Sequence, residues 1–126
     1  MNMEEQLARQ LTGFSVQGRD PLAATACFTL PPEFPAFVGH FPGNPLLPAF
    51  LQLAMVRLVV QQALAMPLAP LATERIKFGG FVRPGEQVEV ETRIRPVAAH
   101  WQVEFNLRKG EERVAVGTMQ FSQLQA

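Results

Sequence analysis

Cysteine occurs once in the 126 residues, as Cys27; tyrosine is missing, and histidine occurs only as His40 and His100. A lone cysteine forms no internal disulfide, and two histidines leave the usual Cys/His zinc site short of ligands. No charge excess exists either, because eleven basic residues balance eleven acidic ones. Nucleic acid and anionic membranes both call for a basic surplus, so neither is indicated. A net charge near zero also gives little protection against self-association, which suits an oligomer without establishing one. Long apolar runs are lacking as well. The longest, from Leu46 to Leu71, is broken by Pro48, Gln52, Arg57, Gln61, Gln62, Pro67 and Pro70, which argues against a membrane span. The N-terminal MNMEEQLARQ has early glutamates and no apolar stretch, unlike a secretory leader. No repeat, low-complexity tract, or metal, flavin or nucleotide motif is visible, so no cofactor is implied. The expectation is a cytoplasmic protein of one domain, residues 1–126, in which 48% hydrophobic residues suffice for one core.

The residues present divide the chain into a helical and a stranded part. Asn2 followed by Glu5 resembles a capping box, and Met3, Leu7, Ala8 and Leu11 then share a helical face that Gly13 ends. Pro21 to Leu30 reads as a strand. From Pro31 to Pro48, proline and glycine disfavour helix and sheet, yet Phe34, Phe37, Phe41 and Phe50 require burial, which predicts an ordered loop. Residues 49–66, AFLQLAMVRLVVQQALAM, form a helix apolar almost all round, and such a helix belongs in the middle of a structure. Val88, Val90, Thr92 and Ile94 alternate with charged residues, as do Trp101, Val103, Phe105 and Leu107 with polar ones. Period two with one wet face predicts antiparallel strands. Ala72 to Val82 and Arg113 to Leu124 add two more, with a turn at Lys109-Gly110-Glu111. The predicted class is α+β, with a curved sheet as one way to bury every side of the helix.

The segment Val38-Gly39-His40-Phe41-Pro42-Gly43-Asn44-Pro45-Leu46-Leu47-Pro48 resembles the GHFPGxPxxPG signature of the 3-hydroxyacyl-acyl-carrier-protein dehydratases. Lys77-Phe78 and Val82-Arg83-Pro84-Gly85-Glu86-Gln87 resemble further elements of that family at matching spacing, so the likeness runs over roughly residues 20 to 122. Gln52-Leu53-Ala54 resembles the Q-L-D triplet of the branch that serves aryl polyene biosynthesis. The resemblance implies a hotdog fold, a curved antiparallel sheet wrapped around a central buried helix. It also implies a homodimer or related pair, and an acyl thioester on acyl-carrier protein or coenzyme A in fatty acid or polyene biosynthesis. His40 takes the place of the base that removes the proton beside the thioester carbonyl. Phe41, Pro42, Gly43, Pro48, Ala49, Ala54 and Arg57 fall on the substrate-binding positions, with the backbone N–H at the helix start holding the carbonyl oxygen.

Two positions depart from that pattern. The glycine after the motif proline is Ala49, and the carboxylate position six residues after Pro48 is Ala54, which donates no proton. Arg57 and Gln61 share its helical face, but arginine stays protonated and glutamine has no useful proton. Glu74 is a weak substitute. Losing a general acid costs about 10²- to 10⁴-fold, so two copies of this chain should make a poor dehydratase. A heterodimer with an acid-bearing homologue would hold one complete site; the alternative is a non-catalytic acyl-thioester-binding or structural subunit, with a thioesterase as a third reading. His100 is expected in a solvent-facing turn, Cys27 as a small strand residue, and Met55 and Met66 as core. Arg57 requires a partner, either across a dimer interface or at the former acid site. Arg83, Arg93, Arg95 and Arg108 are scattered on predicted solvent faces, at most a docking patch for an acidic carrier protein.

Overall fold

The computed structural model describes residues 2–38 and 46–124. Helix α1 (Met3–Ala8) leads into strands β1 (Leu11–Gln17) and β2 (Leu22–Thr29). A single 3-10 turn at Pro35–Phe37 precedes helix α2 (Ala49–Leu64). Strands β3 (Leu68–Phe78), β4 (Gln87–Val97), β5 (His100–Lys109) and β6 (Glu112–Gln123) complete the chain. All six strands lie in one antiparallel sheet ordered β1-β2-β4-β5-β6-β3.

Helix α2 lies against β2 and β4 and also against both edge strands, β1 and β3. Six strands laid flat would put those edges about 24 Å apart, whereas a helix with its side chains is about 10–12 Å across. One helix reaches both edges only because the sheet curls around it. This is the hotdog fold, α+β, with a curved antiparallel sheet around a central buried helix. The inner face supplies Ala24, Ala26, Phe28, Val88, Val90, Ile94, Val103, Phe105, Leu107, Met119 and Phe121, all buried. Against them α2 sets Leu51, Met55, Val56, Val59 and Val60. No helix among the described residues is long and apolar enough to cross a membrane.

The structure corrects the expected N-terminal boundary. The Asn2 side chain does cap α1, accepting the Glu5 N–H at 2.7 Å. The helix ends at Ala8, however, and Leu11 and Gly13 belong to β1. The cause is a bulge between Thr12 and Ser15 with Gly13 at φ 62°. It brings Leu11 and Phe14 to the same core although they are three residues apart, so a strand imitates helical spacing. Helix α2 stops at Leu64 because Ala65 closes it in the left-handed region at φ 54°. β3 begins at Leu68 rather than Ala72 and carries Pro70, which an edge strand tolerates.

Candidate functional site

His40, Phe41, Pro42 and Gly43 lie outside the described residues; Pro48, Ala49, Ala54 and Arg57 lie inside them. Pro48 is the N-cap of α2, extended at φ −61° and ψ 148°, and provides no side-chain cap. A helix leaves its first N–H groups without intrahelical partners; here the Leu51 N–H donates to the Pro48 carbonyl at 3.1 Å, so among the described residues the Ala49 and Phe50 N–H groups are the ones left for an oxygen acceptor. The chain approaches this point under restraint. The Leu47 N–H donates to the Val82 carbonyl at 2.9 Å, and the Gly85 N–H donates to the Leu30 carbonyl at 2.8 Å. The helix start is thereby tied to the Val82–Gln87 segment and to the end of β2.

That segment is held by charge. The Glu86 carboxylate accepts the Arg83 N–H at 2.6 Å and both its oxygens lie 3.2 Å from Lys109 Nζ. Burial pushes the Glu86 carboxyl up, but the Arg83 N–H and the Lys109 hydrogen bond and charge outweigh it and hold the group below the ordinary carboxylate range. Glu86 thus serves the architecture around the helix start.

Helix α2 presents two unlike faces. Leu51, Gln52, Met55, Val56 and Val59 face inward and are buried. Phe50 is 63% exposed, and Ala54, Arg57 and Gln61 are half-buried. Ala54 and Arg57, one turn apart, therefore share the side the sheet does not cover. The Arg57 guanidinium meets α1, where Nη2 stands 2.6 Å from Glu4 Oε2. The expectation assigned α1 no role, since nothing in the sequence says a helix this short folds back on α2. Gln61 Oε1 accepts the Leu68 N–H at 2.9 Å, joining the end of α2 to β3. Gln52, buried to 4% exposure, has an Oε1 with no hydrogen-bond partner among the described residues.

The other candidates lie elsewhere. Glu74 is on the outer face of the sheet, accepting from Gln120 Nε2 at 3.2 Å, and so points away from the helix. Arg95 pairs with Glu104; Arg108 lies 2.9 Å from Glu89 and from Glu91 and is half-buried, not the free surface cation expected. The hydrogen bond that Arg108 donates to Glu89 and the charge of Glu91 raise the Arg108 guanidinium further above its already high range. The Cys27 thiol is pushed up by burial and then by Glu89, which disfavours a nucleophilic thiolate. His100 is exposed and opens β5 just after the Ala98–Ala99 turn.

A family model, ApeI-like (ApeI dehydratase), matches residues 16–118. The chain belongs to the ApeI-like dehydratase family. Three solved structures share its fold. The dehydratase heterocomplex ApeI:P from Xenorhabdus doucetiae is 22% identical, with a TM-score of 0.72 over 90% of this chain and 96% of that one. An uncharacterized protein from Erwinia carotovora subsp. atroseptica is 21% identical, with a TM-score of 0.73 over 90% and 95%. The fluoroacetyl-CoA-specific thioesterase FlK is 16% identical, with a TM-score of 0.70 over 86% and 89%. No curated protein matches the chain in sequence. At these identities the structural likeness establishes the fold, and the family rests on the sequence match.

Proposed function

We propose that this ApeI-like protein dehydrates a 3-hydroxyacyl thioester on acyl-carrier protein to the trans-2-enoyl thioester, in fatty acid or polyene-type biosynthesis. The observation that carries the reading is the start of α2. A helix N-terminus to which Pro48 gives no side-chain cap follows directly on the His40 motif, where the Ala49 and Phe50 N–H groups can hold a thioester carbonyl as negative charge develops. His40 is the base, taking the proton from C2. Phe41, Pro42, Gly43, Pro48 and Ala49 frame the thioester, and Ala54 and Arg57 face the far end of the site.

Ala54 leaves this chain without the family's helix carboxylate, so a partner chain bearing an acid at that position completes the site. Two features support a partner. The open face of α2 exposes Phe50, and the unpaired edge strand β3 exposes Leu71 and Phe78. An exposed apolar sheet edge is a template for another chain. The relative from Xenorhabdus doucetiae is itself a dehydratase heterocomplex. A homodimer, with coenzyme A in place of carrier protein, is the variant of this arrangement.

The test is turnover of a 3-hydroxyacyl-carrier-protein thioester by the chain alone and co-purified with an acid-bearing homologue. The mixture should be the faster by about 10² or more, and His40→Ala in this chain should remove the gain. A mixed complex that ignores His40→Ala would sink the catalytic role. The second reading, a thioester-binding or structural subunit, is favoured by Ala54 itself; it would stand if the thioester binds and no mixture turns it over.

A further inference from the structure

We propose that a groove across the outer face of the sheet binds a small hydroxylated anion, at a site separate from the start of α2 and independent of the dehydratase reading. All six strands contribute to its lining, and its volume is about 760 Å³. The lining residues Arg93, Glu104 and Asn106 alternate with Ile94, Val103 and Leu107, which are buried on the inner face. The groove and α2 therefore lie on opposite sides of the sheet.

Charge decides the kind of ligand. The two carboxylates of the lining are already met: Glu104 Oε1 lies 3.0 Å from Arg95 Nη1, and Glu91 Oε1 lies 2.9 Å from Arg108 Nε. Arg75 and Arg93 line the same groove, and their side chains have no hydrogen-bond or ion-pair partner among the described residues. Arg93 stands opposite Glu104 in the register, yet that carboxylate turns to Arg95. The same cross-strand row continues through Thr118 to Glu74, the neighbour of Arg75, whose own carboxylate is engaged by Gln120. The two free guanidiniums thus flank the groove from strands three steps apart, about 14 Å across the sheet. A second copy laid on this face would set unpaired arginines against unpaired arginines, whereas an anion answers both.

The floor calls for a donor as well. Asn106 Oδ1 is buried and has no hydrogen-bond partner among the described residues. Such an acceptor costs stability, and a ligand hydroxyl would satisfy it. Arg75 is held in place by the bulge of β3, at φ 51° in the register shift between Glu74 and Lys77, where Ile76 crowds Gly117. A residue other than glycine stays in the left-handed region only where its surroundings enforce it, as they do at ligand sites. Guanidiniums for the charge and a buried amide oxygen for the hydroxyl together define the ligand class.

The test follows backbone amides of the isotope-labelled chain by NMR during titration with glycerol 3-phosphate and, separately, with sulfate, an anion that has no donor. Shifts at Thr25, Glu91, Asn106 and Thr118 should saturate with both, and glycerol 3-phosphate should bind the tighter. Arg93→Gln or Arg75→Gln should weaken both ligands by about tenfold or more, with thermal melting confirming that each variant folds. Asn106→Leu should weaken glycerol 3-phosphate by about fivefold and leave sulfate within about twofold. Arg9→Gln, at the end of α1, should change neither. Shifts that do not saturate overturn the proposal, as do affinities that ignore both groove arginines or fall equally with Arg9→Gln. So does saturation of the same amides by raising the protein concentration alone, which would make a second copy the occupant.

Discussion

The two faces of α2 both carry large apolar side chains, Met55 on one and Phe50 on the other, and end in different states. Inward, Met55, Val56, Val59 and Val60 are fully buried against the curled sheet. Outward, Phe50 is left to solvent, and Ala54 and Arg57 are half covered by whatever α1 reaches. Hydropathy alone does not separate Phe50 from Met55. Coverage by the sheet separates them, and the difference teaches that one side of this helix is core while the other is left open.

Breaking the inward face should have the largest effect. Met55→Ala removes a fully buried side chain from a face with no room to relax, and should cost about 2–5 kcal/mol. Phe50→Ala, a larger truncation only five residues away, should change the stability of the dilute chain by less than about 0.5 kcal/mol. Its effect belongs in assembly, read by sedimentation of the concentrated protein alone and with a homologue. Equal losses of stability from the two substitutions would mean that α2 has no open face.

The opposite wall of the core provides the next test. Edge strand β3 shifts register between Glu74 and Lys77, where Arg75 takes φ 51° and Ile76 presses onto β6. A Cβ on Gly117 would lie 2.7 Å from Ile76 Cγ1 and 2.9 Å from its Cα. Because the second contact is with backbone, no rotamer change relieves it. Gly117→Ala should cost about 1–3 kcal/mol and loosen β3, seen as faster amide exchange in Lys77 and Phe78. Normal stability with unchanged exchange would show that the bulge is not pinned by this contact.

These two bulges mark where the sequence stopped being legible. β4, β5 and their alternation were readable because nothing interrupts period two, and α2 because its apolar surface goes all the way round. At Gly13 the extra residue converts strand spacing into helical spacing, so β1 was invisible as a strand. The family and the start of α2 were legible in the His40 motif. The Glu4–Arg57 pair was not, because it depends on α1 turning back across α2, a tertiary event that no local pattern records. Arg108 was missed for a related reason: alternation predicts its face, while the Glu89 and Glu91 that surround it come from the neighbouring strand.

Gln52 sharpens the comparison from inside the helix. It is a buried polar residue of the inward face, and its Oε1 has no partner among the described residues. An orphaned buried acceptor costs stability, so replacing it by a similar apolar volume should help. Gln52→Leu should raise stability by about 1 kcal/mol, a shift of a few degrees in thermal midpoint. A fall in the midpoint would show that the amide makes a structural bond in solution, for example to an enclosed water.

The smallest effect concerns the segment that fastens the start of α2, and it depends on pH. Glu86 is held below its ordinary value of 4.5 by the Arg83 N–H and Lys109, against the opposing pull of burial. A carboxyl lowered in the folded state binds its proton more readily when unfolded. Its contribution is therefore fully present above the unfolded value and disappears as pH falls through the folded one. The pair is partly exposed, so its worth at neutral pH is at most about 1 kcal/mol. Urea unfolding of wild type and Glu86→Gln should show that gap at pH 7 and lose most of it by about pH 3. A gap that persists at pH 3 would assign the role of Glu86 to its hydrogen bond with the Arg83 backbone, which a neutral side chain can also accept, and not to its charge.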